Sequence, residues 1–208
     1  MKTIPLKLDG YTDLPPGKLA NIVTYLEMTA PPRLAPPAEA DDLRLRRMEA
    51  PDPDWYREVI GRIGADWLWV HIPLMPAPQL AALVANPAVE IYALERDRTV
   101  VGIAELDRRT PGVVEIVMFG VMPEAVGTGA AHRLMQGVLA AAFRDDTRRV
   151  WLHTCTHDHP SALRFYRRAG FVPYKLGIEV MDDPRVSGAI AETTAPHIPI
   201  IRPKPENP

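Results

Sequence analysis

Apolar residues recur along this chain with two periods, and the switches between them mark its elements. Leu19 to Met28 (LANIVTYLEM) and Leu43 to Met48 (LRLRRM) read as strands, with Thr29 to Asp42, rich in Pro and Ala, as a loop between them. Residues 1 to 18 carry few apolar positions and read as an extended lead-in. From Asp54 to Ile63 the spacing turns helical, with Trp55, Val59, Ile60 and Ile63 on one face after Pro53 and an acidic first turn. A short helix is predicted from Pro78 to Val84, ending at Asn86-Pro87. Val89 to Leu94 and Val100 to Leu106 form a hairpin over the charged turn Glu95 to Thr99, and the meander continues into a strand from Val113 to about Val121. Pro123 ends that strand by removing a ladder donor. Leu134, Met135, Val138, Leu139, Ala142 and Phe143 then mark an amphipathic helix. Arg149 to Thr154 predicts a further strand and Pro160 to Ala169 a helix, with Gly170 as its C′ residue. Phe171 to Val180 supplies the last strand or strands.

The stretch GADWLWVHIPLM does not declare its period. If it is extended, Trp67 and Trp69 share a face; if it is helical, Trp67 meets His71. Paired tryptophans suit a core or subunit contact as well as a ligand platform.

At 208 residues the chain supports one well-buried core and is too short for two large domains. The expected division is a single domain over residues 1 to 181 and a proline-rich tail over 182 to 208, which packs on a neighbouring surface, on a sister subunit, or not at all. A net charge of −2 gives no pull toward nucleic acid or an anionic membrane. No apolar run reaches the length of a membrane span, and MKTIPLKLDG lacks the continuous apolar segment of a secretory signal. Cys155 is the one cysteine, so no intrachain disulfide framework is possible, and a cytoplasmic location is expected. An aromatic patch and an apolar tail make a homodimer the expected assembly.

Between the strand ending at Val121 and the helix holding Leu134 lies Gly127-Thr128-Gly129-Ala130-Ala131, where nothing larger than threonine is used. Such a run lets a ligand approach the backbone and leaves the first helical amides open to phosphate oxygens. Close packing alone would also explain it.

The sequence around this turn, VMPEAVGTGAAHRLM, resembles motif A of the GNAT N-acetyltransferase superfamily. There Val-x-Pro, a short spacer and Arg/Gln-x-x-Gly-x-Gly/Ala cradle the pyrophosphate of acetyl-coenzyme A. In register, Val126 takes the Arg/Gln place, Gly129 the first Gly and Ala131 the Gly/Ala. Val126 departs from the pattern and removes a side-chain phosphate contact. His159-Pro160-Ser161-Ala162-Leu163-Arg164-Phe165-Tyr166-Arg167-Arg168-Ala169-Gly170-Phe171 is similar to the second signature, Asn-x-x-Ala-x-x-x-Tyr-x-x-x-Gly-Phe, with His159 in place of Asn. The two matches together span residues 89 to 180.

The resemblance implies an α/β (α+β) acetyltransferase fold: a mixed, mostly antiparallel sheet with splayed central strands and helices on both faces. It implies acetyl-coenzyme A as cofactor, held by Phe119, Gly120 and Val121 through the main chain, by residues 126 to 131, and by His159 and Ala162. It implies a primary amine acceptor, a small molecule or a peptide, attacking directly in a ternary complex. A non-catalytic acyl-coenzyme A sensor or partner-binding module is the alternative.

Acetyl transfer needs a neutral amine, a polarised carbonyl and a proton for the leaving thiolate. Glu115 lies in an apolar strand, where a carboxylate must face a cleft or find a partner, and burial would raise its pKa toward the range of a base. Its position resembles that of the general-base glutamate of the histone acetyltransferase branch; an ion-paired glutamate is the other reading. Tyr166 stands where the family places the tyrosine that returns a proton to the coenzyme sulfur, although it would also serve as a core aromatic. Trp67, Trp69 and His71 fall in the region that shapes the superfamily's acceptor pocket.

His153, Cys155, His157 and His159 alternate with other residues. Side chains about 7 Å apart along a strand suit its splayed end better than a metal site. Asp158 or His159 then caps the next helix or faces the amine, and a histidine could act as base through water. Glu105 and Asp107 are anchors for an acceptor ammonium or solvated charges.

Overall fold

The computed structural model describes residues 5–32, 42–144 and 146–204. Most of the loop expected between Thr29 and Asp42 lies outside them. Seven strands, β1 (Lys18–Met28), β2 (Leu43–Met48), β3 (Val89–Arg96), β4 (Thr99–Thr110), β5 (Val113–Val121), β6 (Arg149–Cys155) and β7 (Val172–Asp182), form one sheet in the order β2-β3-β4-β5-β6-β1-β7. Every neighbouring pair is antiparallel except β5 and β6. The helices are α1 (Pro53–Ile63), α2 (Ala77–Val84), α3 (Ala130–Ala142) and α4 (Ala162–Arg168).

Local chemistry accounts for these boundaries. The Asp52 carboxylate accepts from the amides of Asp54 and Trp55 at 2.8 and 3.1 Å, which caps α1, and Pro53 starts it. The β3–β4 hairpin turns on Asp97 and Arg98 with φ of 48° and 66°, the left-handed pair that matches the twist of its strands. At the far end of α3 the Arg108 guanidinium donates to the carbonyls of Ala141 and Ala142, filling orphan acceptors with a positive charge.

Helices cover both faces. A Cβ on Gly102 would meet Leu134 of α3 at 3.3 Å, whereas Glu105, three residues along β4 and so on the opposite face, takes a hydrogen bond from Tyr56 of α1. Leu134, Met135, Val138, Leu139 and Ala142 of α3 are buried, the face that its sequence periodicity marks.

The functional consequence of the topology lies between β5 and β6. They pair only at Val113↔Arg149, Val114↔Val150 and Glu115↔Trp151. Beyond Glu115 both strands continue, β5 to Val121 and β6 to Cys155, with no ladder between them. The main-chain groups on that side of β5 are left without a strand partner, and a cleft opens there.

The aromatic stretch after α1 is neither of the two forms open from its sequence. It runs through turns, so Trp67 and Trp69 find different partners. The segment after β7 folds back onto its own chain. Arg185, 1% exposed, is paired with Asp183 and donates to the carbonyls of Thr194, Ala195 and Ile198. Gly17 donates to Ile201 and accepts from Asp183, and Leu19, Leu68 and Ala195 form a second small core with Met181, Ile190 and Ile198.

Candidate active site

Two adjoining cavities occupy the cleft. The larger, about 340 Å³, runs from Gly127 and Ala131 at the start of α3, past Gly120 and Val121, to His159, Ala162 and Tyr166. The smaller, about 220 Å³, lies over β6 and β1 beneath Val70 and His71. Trp69, Phe119, Asp158 and Tyr166 line both and stand between them.

At the mouth of the larger cavity the backbone turns through Gly127 and Gly129 with φ of 79° and 91°, conformations that disfavour a side chain. A Cβ built on either glycine finds no atom within 4 Å. These glycines therefore do not serve close packing within the protein; they keep open space beside the chain. Gly129 is the N-cap of α3 and offers no side-chain acceptor, so the first amides of a 13-residue helix remain available. Open space, free amides and a helix N-terminus suit a diphosphate. Thr128 differs from its expected part in this cradle: its amide and hydroxyl both donate to the Ala125 carbonyl, at 3.3 and 2.8 Å. Ala130 is fully buried, main chain included. Val126, 52% exposed, lines the cavity with an apolar surface.

Tyr166 sits at the inner end, its ring edge-on to Phe119 and Phe171 with centroids 6.0 and 6.4 Å away. Burial, then the Asp158 carboxylate, pushes its phenol well above the ordinary value, so the hydroxyl holds its proton. Glu115 lines neither cavity; its carboxylate lies 3.8 Å from Nδ1 of His153, which lines the smaller one. Desolvation, followed by repulsion from Asp107 and Glu105, pushes Glu115 up to about 7. Burial pushes the Cys155 thiol up to about 11, so it stays protonated and a poor nucleophile at neutral pH.

Asp158 lines both cavities and is held from two sides. One oxygen accepts from the Trp69 indole at 2.9 Å; the other accepts from the Thr154 hydroxyl and the Cys155 amide at 2.7 and 2.8 Å. It clamps the aromatic segment to the end of β6. His159 Nδ1 accepts from the Ser161 amide at 3.1 Å in the turn before α4, and Ser161 is the N-cap, with no side-chain cap bond. Trp67 packs edge-on against His159 and His197 and lines the larger cavity, while His71 lines the smaller. Glu105 is neither solvated nor open to an acceptor: it is 2% exposed beneath α1 and bonded to the Tyr56 hydroxyl. Asp107 is tied to Arg109. Among the described residues, no group of three or more His, Cys, Asp or Glu is arranged to hold a metal.

Residues 50–171, more than half the chain, match the acetyltransferase (GNAT) family. The chain belongs to that family. An uncharacterized N-acetyltransferase of Mycobacterium tuberculosis is 34% identical over 97 residues, which cover 47% of this chain and 62% of the relative. A functionally unknown conserved protein from Staphylococcus epidermidis superposes with a TM-score of 0.60 at 16% identity, over 80% of this chain and 63% of that one. A GCN5-related N-acetyltransferase from Sphaerobacter thermophilus superposes with a TM-score of 0.57 at 18% identity, over 78% and 52%. The chain thus spans less than two thirds of each of these relatives.

Within this GNAT fold, both stretches that carried the resemblance border the larger cavity, one at its mouth and the other at its inner end. Several residues of the site were not legible beforehand. Ile63 closes the larger cavity from α1: a Cβ on Gly120 would meet its Cγ2 at 2.5 Å. Ser161 and Phe165 line the same cavity and lie inside the quoted signature, so helical spacing around Tyr166 could have found them. Asn21 and Glu179 line the smaller one. The signal for Asn21 was there: it falls between Leu19 and Val23 on the inward face of β1, where the alternation calls for an apolar residue.

Proposed function

We propose that this chain moves an acetyl group from acetyl-coenzyme A to a primary amine on a small molecule or peptide, by direct attack in a ternary complex. The observation that carries the reading is the uncapped start of α3, with its two left-handed glycines beside open space, at one end of a cavity that has Tyr166 at the other. The amides of residues 127, 129 and 131 would hold the diphosphate, and Phe119, Val121 and Ala162 would flank the arm that follows it. Bound there, the cofactor supplies the acetyl group as a thioester.

The protein's own groups supply the rest. Beyond Glu115 the β5 backbone has no partner on the β6 side, so N–H groups of Phe119 to Val121 can polarise a carbonyl in the cleft. Glu115 takes the acceptor's ammonium proton by way of His153, which borders the smaller cavity. Tyr166 keeps a proton on its hydroxyl and can deliver it to a leaving group in the larger cavity. The protonated Cys155 thiol fits a route with no covalent enzyme intermediate. A cytoplasmic location belongs to the same proposal, as does a homodimer, for which the exposed apolar row Val172, Leu176, Ile178 and Val180 on β7 gives support.

The test is release of free coenzyme A across a panel of primary amines. Amine-dependent release supports the enzyme. Saturable acetyl-coenzyme A binding with no release for any amine makes the chain a sensor and overturns catalysis.

A further inference from the structure

The two edges of the sheet are protected differently. β2, at one end, is six residues long and carries Arg44, Arg46 and Arg47, charges that discourage a further strand. β7, at the other end, is eleven residues long and nine of them are exposed, which makes it the edge open to a partner. Among the described residues, no strand pairs with its outer side. Pro173 and a register shift blunt only its start; from Lys175 to Asp182 it pairs with β1 in unbroken register. Along that regular part Leu176, Ile178 and Val180 lie exposed on one face, and Lys175 and Glu179 lie exposed on the other. Neither charge belongs to an ion pair among the described residues. Lys175 rests over the Tyr25 ring at 3.7 Å, and Glu179 Oε2 accepts from Asn21 at 2.9 Å.

We infer that β7 pairs antiparallel with β7 of a second copy about a two-fold axis at Gly177, joining the two sheets edge to edge. The inference rests on the homodimer of the proposed function and gives it a surface and a register. Charge selects that register. Pairing about Gly177 sets residue 175 of each copy opposite residue 179 of the other, so Lys175 meets the partner's Glu179 and Glu179 meets the partner's Lys175. On the opposite face Leu176 meets the partner's Ile178, apolar against apolar. Moving the axis to Leu176 or Ile178 loses both ion pairs, since Lys175 would then face Gly177 or Met181. The two charges cannot satisfy each other within one chain, because four residues along a strand span about 13 Å. A two-fold interface uses the same patch twice, so a strand that complements itself in this way fits a second copy of this chain. Glu179 also lines the smaller cavity, so the same pairing brings the partner's Lys175 to a wall of the candidate site.

The experiment is sedimentation equilibrium of the full chain across a wide range of concentration, with thermal melts to show that each variant is folded. The wild type is expected to dimerise. Lys175→Glu and Glu179→Lys each set like charges opposite one another twice, so either alone is expected to raise the dimer Kd at least about tenfold. Mixed in equal amounts, the two variants present opposite charges to each other at both positions. The mixture is therefore expected to recover the wild-type Kd to within a few-fold, a result that damage within one chain would not produce. Both side chains are exposed, and if one variant fails to fold, the other alone still reads the register. A wild type that stays monomeric at every concentration overturns this pairing and the homodimer together, and leaves acetyl transfer standing. A dimer unmoved by a folded reversal variant, or a mixture that does not recover, overturns the β7 register and leaves a homodimer through another surface.

Discussion

Glu115→Gln separates the proposed base from an ion-paired glutamate, because the two make opposite demands on pH. Glu115 ionises at about 7 in the folded chain, against an ordinary value of 4.5. As the base it must be ionised, so about half of the molecules are competent at pH 7, about a tenth at pH 6 and about a hundredth at pH 5. The wild-type kcat/KM should fall about tenfold per unit below pH 7 and level off above pH 8. In Glu115→Gln that limb should vanish, together with a loss of roughly 10²- to 10⁴-fold at pH 8. Stability provides an independent reading with a fixed sign. Raising the folded pKa favours the protonated form, so the native state is not penalised below pH 4.5, loses stability as pH rises toward 7, and changes no further above it. Glu115→Gln should therefore melt higher than wild type at pH 8 and equal to it near pH 4. The assays are steady-state coenzyme A release and thermal melts across pH 4 to 9. A Glu115→Gln protein that keeps the wild-type limb near pH 7, or melts lower than wild type at pH 8, refutes the assignment.

Tyr166→Phe should lower kcat by about 10²-fold or more while changing the affinity for acetyl-coenzyme A by no more than a few-fold, as single-turnover kinetics and equilibrium titration would show. Asp158→Ala leaves the Trp69 indole, the Thr154 hydroxyl and the Cys155 amide without their acceptor, so a loss of about 2–4 kcal/mol in urea unfolding is expected, with quenching of Trp69 fluorescence by solvent. Arg185→Ala strands the Asp183 carboxylate in the interior and should cost about 3–5 kcal/mol while releasing residues beyond 185 to limited proteolysis; an unchanged digestion pattern would contradict the role given to the tail.

The legible parts of this molecule are those governed by local rules. Periodicity placed β2 at Leu43–Met48 and ended β5 at Val121, since alternation and a stopping proline act within a few residues. The buried face of α3 was equally plain. The position of β1 was not: it is inserted between β6 and β7, and its pairing depends on chain more than 120 residues away, which no window of sequence reports. The same limit hid Glu105, whose partner Tyr56 comes from a helix 49 residues earlier, so an alternating strand pattern read it as open. Trp67 and Trp69 were recognised as important without being oriented, because turns have no period and Asp158, the partner that fixes Trp69, lies 89 residues on. In the proposed cradle, glycine spacing marked the open turn but not that Thr128 turns inward to Ala125.

The central claim is that the open amides around Gly127 and Gly129 hold a diphosphate. Calorimetric titration of the wild-type protein with acetyl-coenzyme A and, in parallel, with S-acetylpantetheine, which carries the thioester without the diphosphate, tests it most directly. The account predicts one saturable site for acetyl-coenzyme A and at least about tenfold weaker binding of the truncated thioester. Equal affinities, or no saturable binding of acetyl-coenzyme A, would contradict it.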